Sequence, residues 1–229
     1  MATKILVTCE HGGNFVPVRF KESFKNGAAI LDSHRGWDPG ALDLARCLHR
    51  KLQIPIVYEH ITRLLIDQNR SLTSRSLFSE FSENVSPLKK KYLLKRYTSY
   101  HQKVMNFVDT MIKVDDVIHL SIHSFTPVLN GKIRTADIGI LYDPHRNHEK
   151  EIAAELIHVF STEFPDLRFR RNYPYRGTSD GFTKLLRQKY KDPHYCGLEL
   201  EFNQALLLKN TALAKALKQK IPQIIQILF

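Results

Sequence analysis

Six short apolar runs, rich in β-branched residues, alternate along the chain with segments of helical periodicity, and this alternation restricts the fold more than any other feature. The runs are KILVTCE (4–10), IPIVYEH (54–60), DVIHLSIHS (116–124), IGILYD (138–143), LRFRRN (167–172) and YCGLELEFN (195–203). Several are apolar almost continuously, the pattern of strands covered by helices on both sheet faces. The helix candidates lie between them. DPGALDLARCLHRKL (38–52) opens with Asp38 before Pro39, an N-cap followed by proline at the first helical position. SPLKKKYLLKRYTSYHQKVMNFVDTMIK (86–113) opens the same way at Ser86-Pro87. HEKEIAAELIHVFSTEF (148–164), SDGFTKLLRQKY (179–190) and QALLLKNTALAKALKQKI (204–221) follow. This order predicts one α/β domain over residues 1–229, with a mixed, mostly parallel sheet and helices on both faces. The serine-rich stretch 68–86 is the longest irregular segment and is expected to be a surface loop that covers a site.

Composition narrows the class. With 43% hydrophobic residues in 229 the chain can bury a sizeable core. No apolar run has the length of a membrane span, and MATKILVTCE lacks the pattern of a signal peptide. Cys9, Cys47 and Cys196 are scattered and form no CxxC, so they are expected as reduced, buried thiols in a cytoplasmic protein. The formal charge of +11 concentrates in PLKKKYLLKRY, RFRRNYPYR and KLLRQKYKD. No zinc-finger, RNA-recognition or helix-turn-helix signature accompanies it. A solvated face, or a field that draws small anions, is therefore expected ahead of nucleic acid. Oligomeric state is not legible.

In open α/β sheets ligands bind beyond the carboxyl ends of the strands, and those ends are polar here. The first strand ends in Glu10-His11 and the third in His123-Ser124. The second runs on into TRLLIDQNR, with Arg63, Asp67, Asn69 and Arg70, and the last carries Glu199 and Glu201. Two histidines and several carboxylates meeting at one sheet edge make up the ligand set of a hydrolytic zinc site. Each has a plainer reading. His11 could serve a turn, His119 in the same strand as His123 could be a core histidine, and Asp38 could be only a helix cap. No Walker A, GxGxxG, GxSxG or HExxH motif occurs. A Ser124–His123 dyad is excluded because neighbouring strand residues point to opposite faces.

Taken in order, TCEHGGNFVP, HRGWDPGALDLA, TRLLIDQNRS, IHSFTPVLNGKIRTADIGILYD, NYPYRGTSDG and GLELEFNQ resemble the N-formylglutamate amidohydrolase family, over residues 5 to about 205. The resemblance implies an α/β hydrolase related to zinc carboxypeptidases and aspartoacylases. It would bind one zinc ion and cleave the amide of an N-acyl, typically N-formyl, amino acid or a similar small anionic amide. It implies His11 and His123 as metal ligands. The carboxylate found three residues after the first histidine in the carboxypeptidase relatives is replaced here by Asn14, so Asp38 becomes the expected third ligand, with Glu10 as second choice. Glu201 matches the general base, and Glu199 and Glu10 are expected as orienting groups. Arg63 is expected to stabilise the oxyanion. Arg70, Asn69, Arg134, Tyr175 and Gly177, with Arg176, are expected around the substrate. Gly12 and Gly13 would keep the backbone low so that substrate and water can approach. The rival readings are a carboxypeptidase-like peptidase and a non-catalytic protein that binds nucleic acid or a partner through its basic faces.

Overall fold

The most apolar runs become the centre of the sheet. In the computed structural model, which describes residues 3–209 and 211–229, the strands are β1 (Lys4–Cys9), β2 (Ile56–Tyr58), β3 (Val117–Phe125), the hairpin β4 (Val128–Leu129) and β5 (Lys132–Ile133), β6 (Ile138–Leu141), β7 (Phe169–Arg171) and β8 (Tyr195–Asn203). The main sheet runs β2-β1-β3-β8-β6-β7. All its pairs are parallel except β6 with β8, so it is mixed and mostly parallel, as the alternation predicts. Every residue of β3 and β8 is buried, the apolar ones and the His, Ser and Glu between them alike.

The helices among the described residues are α1 (Ala28–Leu31), which packs on a small core of its own, and α2 (Ala41–Leu52), α3 (Pro87–Met111), α4 (Asn147–Glu163), α5 (Phe182–Lys189) and α6 (Thr211–Leu228), which cover the sheet. The largest core joins α2, α4 and α6 to one sheet face, with Leu44, Leu48, Leu156, Phe160, Leu217 and Ile221 packed on Ile118, Leu120, Leu198 and Leu200. A second core joins α3 and α5 to the other face through Val104, Val108, Phe182 and Leu186 against Leu6, Val117 and Tyr195. Strand side chains alternate between faces. Ile118, Leu120 and Ile122 therefore face the first core, while His119, Ser121 and His123 join Val117 on the second. On β8, Cys196, Leu198 and Leu200 belong to the first core, which leaves Glu199 and Glu201 on the face of Tyr195. One face is mainly apolar, with Ser124 at the end of β3; the other turns polar toward the strand ends.

Local differences from the sequence reading have physical reasons. Helix α3 starts as expected, with the Ser86 side chain accepting from the Lys89 amide and Pro87 in the first turn. Asp38 is not the cap of α2; that position is Gly40, at a left-handed φ of 84°. A short 3-10 helix (Val18–Phe24), α1 and the β4–β5 hairpin carry too few residues to show periodicity. The expected helix 204–221 is a π-helical turn at Ala205–Lys209 followed by α6, which continues past Pro222 to Leu228; position 210 within it lies outside the described residues. The stretch 68–86 lacks helix and strand; Asn69 and Arg70 at its start line the cavity at the strand ends, while its later part packs elsewhere. Leu77 is buried with Phe20, Phe24, Leu64, Leu65, Ile66, Leu93 and Tyr97 in a third small core. All three cysteines are buried and free, and no described helix is long and apolar enough to cross a membrane.

A buried ion pair ties the periphery of the sheet together. Glu149, at the start of α4, accepts from Arg187 Nε of α5 at 2.9 and 3.0 Å, from the Gly197 amide at 3.1 Å and from the Asp143 amide at 2.9 Å. Arg187 also donates to the carbonyls of Gly177 and Gly197, both at 2.6 Å. Glu149→Ala leaves that guanidinium buried without its counter-charge, so urea unfolding should show a loss of about 3–5 kcal/mol. A loss below about 1 kcal/mol would contradict this role.

Candidate functional site

Strands β1, β3 and β8 end at a cavity of ≈ 220 Å³ lined by His11, Asp38, Arg63, Asn69, Arg70, His123, Tyr175, Arg176, Glu199 and Glu201 among others. His11 follows β1 by two residues, His123 lies in β3, and Glu201 of β8 is its register partner across the sheet. Asp38 comes from the turn before α2, where its amide donates to the His11 carbonyl at 3.0 Å. That turn inserts a carboxylate between the two imidazoles. Asp38 Oδ2 is 2.9 Å from His123 Nδ1 and 3.4 Å from His11 Nδ1, and the Ser124 amide donates to the same oxygen at 3.3 Å.

The far nitrogens of both rings are held by other groups. His11 Nε2 is 2.7 Å from Asp67 Oδ1. His123 Nε2 is 2.8 Å from Ser121 Oγ and 3.2 Å from Glu10 Oε2. Glu10 is itself fixed by Ser121 Oγ at 2.6 Å and by the Tyr100 hydroxyl at 3.0 Å. Rings that donate from Nε2 to carboxylates turn the lone pairs of Nδ1 toward Asp38. Three electron-rich atoms then converge, and His11, Asp38 and His123 each offer one ligand atom within 4.8 Å of the others. Two imidazoles and one carboxylate, with oriented outer nitrogens, form a donor set that fits a zinc ion with a position left open. Without a cation, proton uptake relieves the same convergence. Burial alone would lower the His123 pKa, but the hydrogen bonds to Asp38 and Glu10 carry it well above 6.5. Burial would raise both carboxyls, yet His11 and His123 hold Asp38 far below the usual range, and His123 does the same for Glu10.

Glu201 has a different environment. Burial pushes its carboxyl up to about 7, with His123 opposing and Asp38 and Glu199 adding to the rise. Its Oε2 is buried and has no hydrogen-bond partner among the described residues. A buried carboxyl oxygen with no partner, beside the convergent donors, is placed to exchange a proton with whatever enters.

Arg63 donates through Nε and Nη2 to Asp67 Oδ2 at 3.2 and 2.8 Å, and its Nη1 stands 3.6 Å from Asp38 Oδ1. Arg70 Nη1 holds the carbonyls of Asn69 and Asp180 at 3.0 and 2.8 Å. Asn69 lines the cavity, but its Oδ1 is taken by the Phe182 amide at 2.6 Å, at the start of α5. Tyr175 lines the cavity, while Arg134 stands behind it, 3.2 Å from the Tyr175 hydroxyl and over the Phe125 and Tyr175 rings. Gly177 is not at the cavity. A Cβ there would lie 2.3 Å from the Tyr142 amide nitrogen, so the residue is small because the backbones touch. The same correction applies to Gly12 and Gly13, whose missing Cβ atoms make room for the carbonyls of Glu59 and His60 at 3.0 and 2.6 Å, not for substrate. Asn14 anchors α1 by donating to the Leu31 carbonyl and Asp32, away from the site.

Several participants escaped the sequence reading. Ser121 had a usable signal, since it lies two residues from His123 on the same strand face. Asp67 stands out in TRLLIDQNR, but nothing local marks its bond to His11, 56 residues away. Tyr100 and Thr183 reach Glu10 and Glu199 across 90 and 16 residues of chain, with no local pattern to mark them.

A mixed α/β sheet with a polar cluster gathered at its strand ends is the framework of a hydrolase-like protein. The sequence profile of the N-formylglutamate amidohydrolase family matches residues 3–208, and the chain belongs to that family, whose members are hydrolases of C–N bonds. A gene product of Agrobacterium tumefaciens is similar in structure, with a TM-score of 0.81 and 27% identity over 97% of this chain and 89% of that one. An N-formylglutamate amidohydrolase from Ralstonia eutropha shares the fold, with a TM-score of 0.69 and 16% identity over 96% and 90% of the two chains. No curated protein matches the sequence.

The raised Glu201 pKa has a signed consequence. In chelator-treated protein the folded state holds this proton up to about pH 7, whereas the unfolded chain releases it near 4.5. Raising the pH through that window therefore favours unfolding. Compared with Glu201→Gln, wild type should lose about 1–3 kcal/mol of relative stability in denaturant titrations between about pH 5 and about pH 8. A relative stability that stays level or rises would contradict the assignment.

Proposed function

We propose that this protein is a zinc-dependent amidohydrolase that cleaves the amide of an N-acyl amino acid, or a similar small anionic amide, with water to give a carboxylate and an amine. What supports this reading is one juxtaposition: the convergent nitrogens and oxygen of His11, His123 and Asp38 beside the unpartnered buried oxygen of Glu201. His11, Asp38 and His123 would hold the ion, and bound there it would supply Lewis acidity toward the amide carbonyl and the attacking water.

The chain's own groups do the remaining work. Asp67 and Glu10 hold the outer ring nitrogens, which fixes the tautomers that present Nδ1 to the site. Glu201 Oε2 takes a proton from the attacking water and later delivers it to the departing nitrogen, a relay suited to a carboxyl whose pKa lies near neutrality. Arg63 Nη1 faces the cavity beside Asp38 and is the cation positioned for charge that builds on the carbonyl oxygen. Its planar donors are prevented from drifting by the two bonds to Asp67. Arg70 and Arg176, with Tyr175, offer the substrate carboxylate a cationic and hydrogen-bonding wall.

Calorimetric titration with Zn2+ should give about one equivalent bound, lost in His123→Ala and in Asp38→Ala. Glu10→Gln should keep the site but weaken it about 10- to 100-fold. Binding unaffected by these changes would remove the proposed centre. With zinc bound and a panel of N-formyl, N-acetyl and N-succinyl amino acids, Glu201→Gln should lower kcat by about 10²- to 10⁴-fold with little change in metal content. Full turnover in that variant would exclude Glu201 as the base.

A further inference from the structure

Glu199 is a buried carboxylate on the cavity wall for which the reaction above has no use. It shares a face of β8 with Glu201 and pairs across the sheet with Ser121. Among the described residues its hydrogen-bond donor is Thr183 Oγ1, 2.5 Å from Oε1. Thr183 is itself buried, so it pins the carboxylate in place. No lysine, arginine or histidine side chain forms an ion pair with Glu199 among the described residues. Of the cavity arginines, Arg63 is bonded to Asp67 and Arg70 Nη1 to the carbonyls of Asn69 and Asp180; neither they nor Arg176 pairs with Glu199, and Arg176 and Arg70 Nη2 keep donors for a substrate carboxylate.

A carboxylate that is buried, anchored on one oxygen and without a direct ion pair, the buried Arg187 guanidinium acting on it only at longer range while bonded to Glu149, has room for a cation to complete it. The cavity that it lines is where such a cation would enter. A substrate with two carboxylates would instead place like charge close to Glu199. We infer that the substrate is a zwitterionic amide, with a protonated primary amine that docks on Glu199 and a single carboxylate that docks on the cavity arginines. The register limits where the amine sits. Residues two apart on a strand are separated by about 6.6 Å. An amine two or three bonds from the scissile carbonyl therefore reaches Glu199 while the reacting amide stays at Glu201. An α-aminoacyl group, as in a dipeptide, has that spacing.

This inference rests on the amide-hydrolase reading for the identity of the reacting bond, but its test does not need turnover. Calorimetry on zinc-loaded Glu201→Gln protein compares alanyl-alanine with N-propionyl-alanine, which differs by loss of the amine. The dipeptide is expected to bind roughly tenfold tighter or better. Adding Glu199→Gln should bring the two within about threefold, and Glu199→Asp, which keeps the charge on a shorter stem, should fall between. Equal binding of the two ligands, or a preference that survives Glu199→Gln, would overturn the inference. Wild-type cleavage of either compound, lost in Glu201→Gln, reports separately on the hydrolase reading. If neither is cleaved while the amine preference holds, the hydrolase reading fails and the Glu199 assignment stands.

Discussion

The structure turns on a carboxylate held between two imidazoles where water barely reaches. Asp38 is 4% exposed, and His11 and His123 are each 2% exposed. Groups this polar stay buried only when every contact is satisfied. Asp38 meets that requirement by joining three separate pieces of chain. Its amide binds the end of β1 at His11, its carboxylate spans both rings, and the Ser124 amide closes the far side. Ser124 Oγ then donates to the Pro39 carbonyl at 2.9 Å and fastens the turn itself to β3. Asp38 is thus a junction first, and its value as a ligand follows from being held there.

The sheet supports this junction by dividing its two faces. On the side of α2, α4 and α6 the central strands present mainly apolar residues, with Ser124 at the end of β3 an exception, and supply the burial that stabilises the fold. On the other side a polar column climbs toward the strand ends. At its base His119 bridges Thr8 Oγ1 and the Tyr195 hydroxyl, both at 2.7 Å. Burial lowers that imidazole to about 4, so it stays neutral and serves the core. Above it Glu10, Ser121 and Tyr100 form a second layer, and His123 with Asp38 and His11 the third. The chemistry therefore sits on a satisfied polar stack, beside which Glu201 Oε2 is buried with no hydrogen-bond partner among the described residues.

Much of this was legible in the residues because it depends on short-range pattern. The buried strands β3 and β8 read as strand-like runs, and the two-residue period that puts Glu199 and Glu201 on one face of their strand follows from strand geometry, whereas the register that sets Glu201 opposite His123 does not. The Ser86 cap with Pro87 marked the start of α3 for the same reason. What failed to show depends on distant contacts. Asp38-Pro39 has the form of a helix start, and only the packing of Leu207 against Gly40, where a Cβ would lie 2.8 Å from the Leu207 Cβ, reveals that the helix begins later and that the carboxylate is released to the site. Gly12, Gly13 and Gly177 read as open space near a ligand, but they are close approaches of one backbone to another. Nor does the stretch 68–86 disclose that Leu77 anchors its middle in a small core of its own while Asn69 and Arg70 at its start line the cavity.

The account stands or falls on whether the Nδ1 atoms of His11 and His123 and the carboxylate of Asp38 share one cation. Anomalous diffraction at the zinc edge from crystals grown with Zn2+ measures this directly. The account predicts a single strong peak about 2.0–2.2 Å from one nitrogen of each ring and from an oxygen of Asp38. A zinc peak elsewhere, or Asp38 still hydrogen-bonded to His123 with no peak between the two rings, would contradict it.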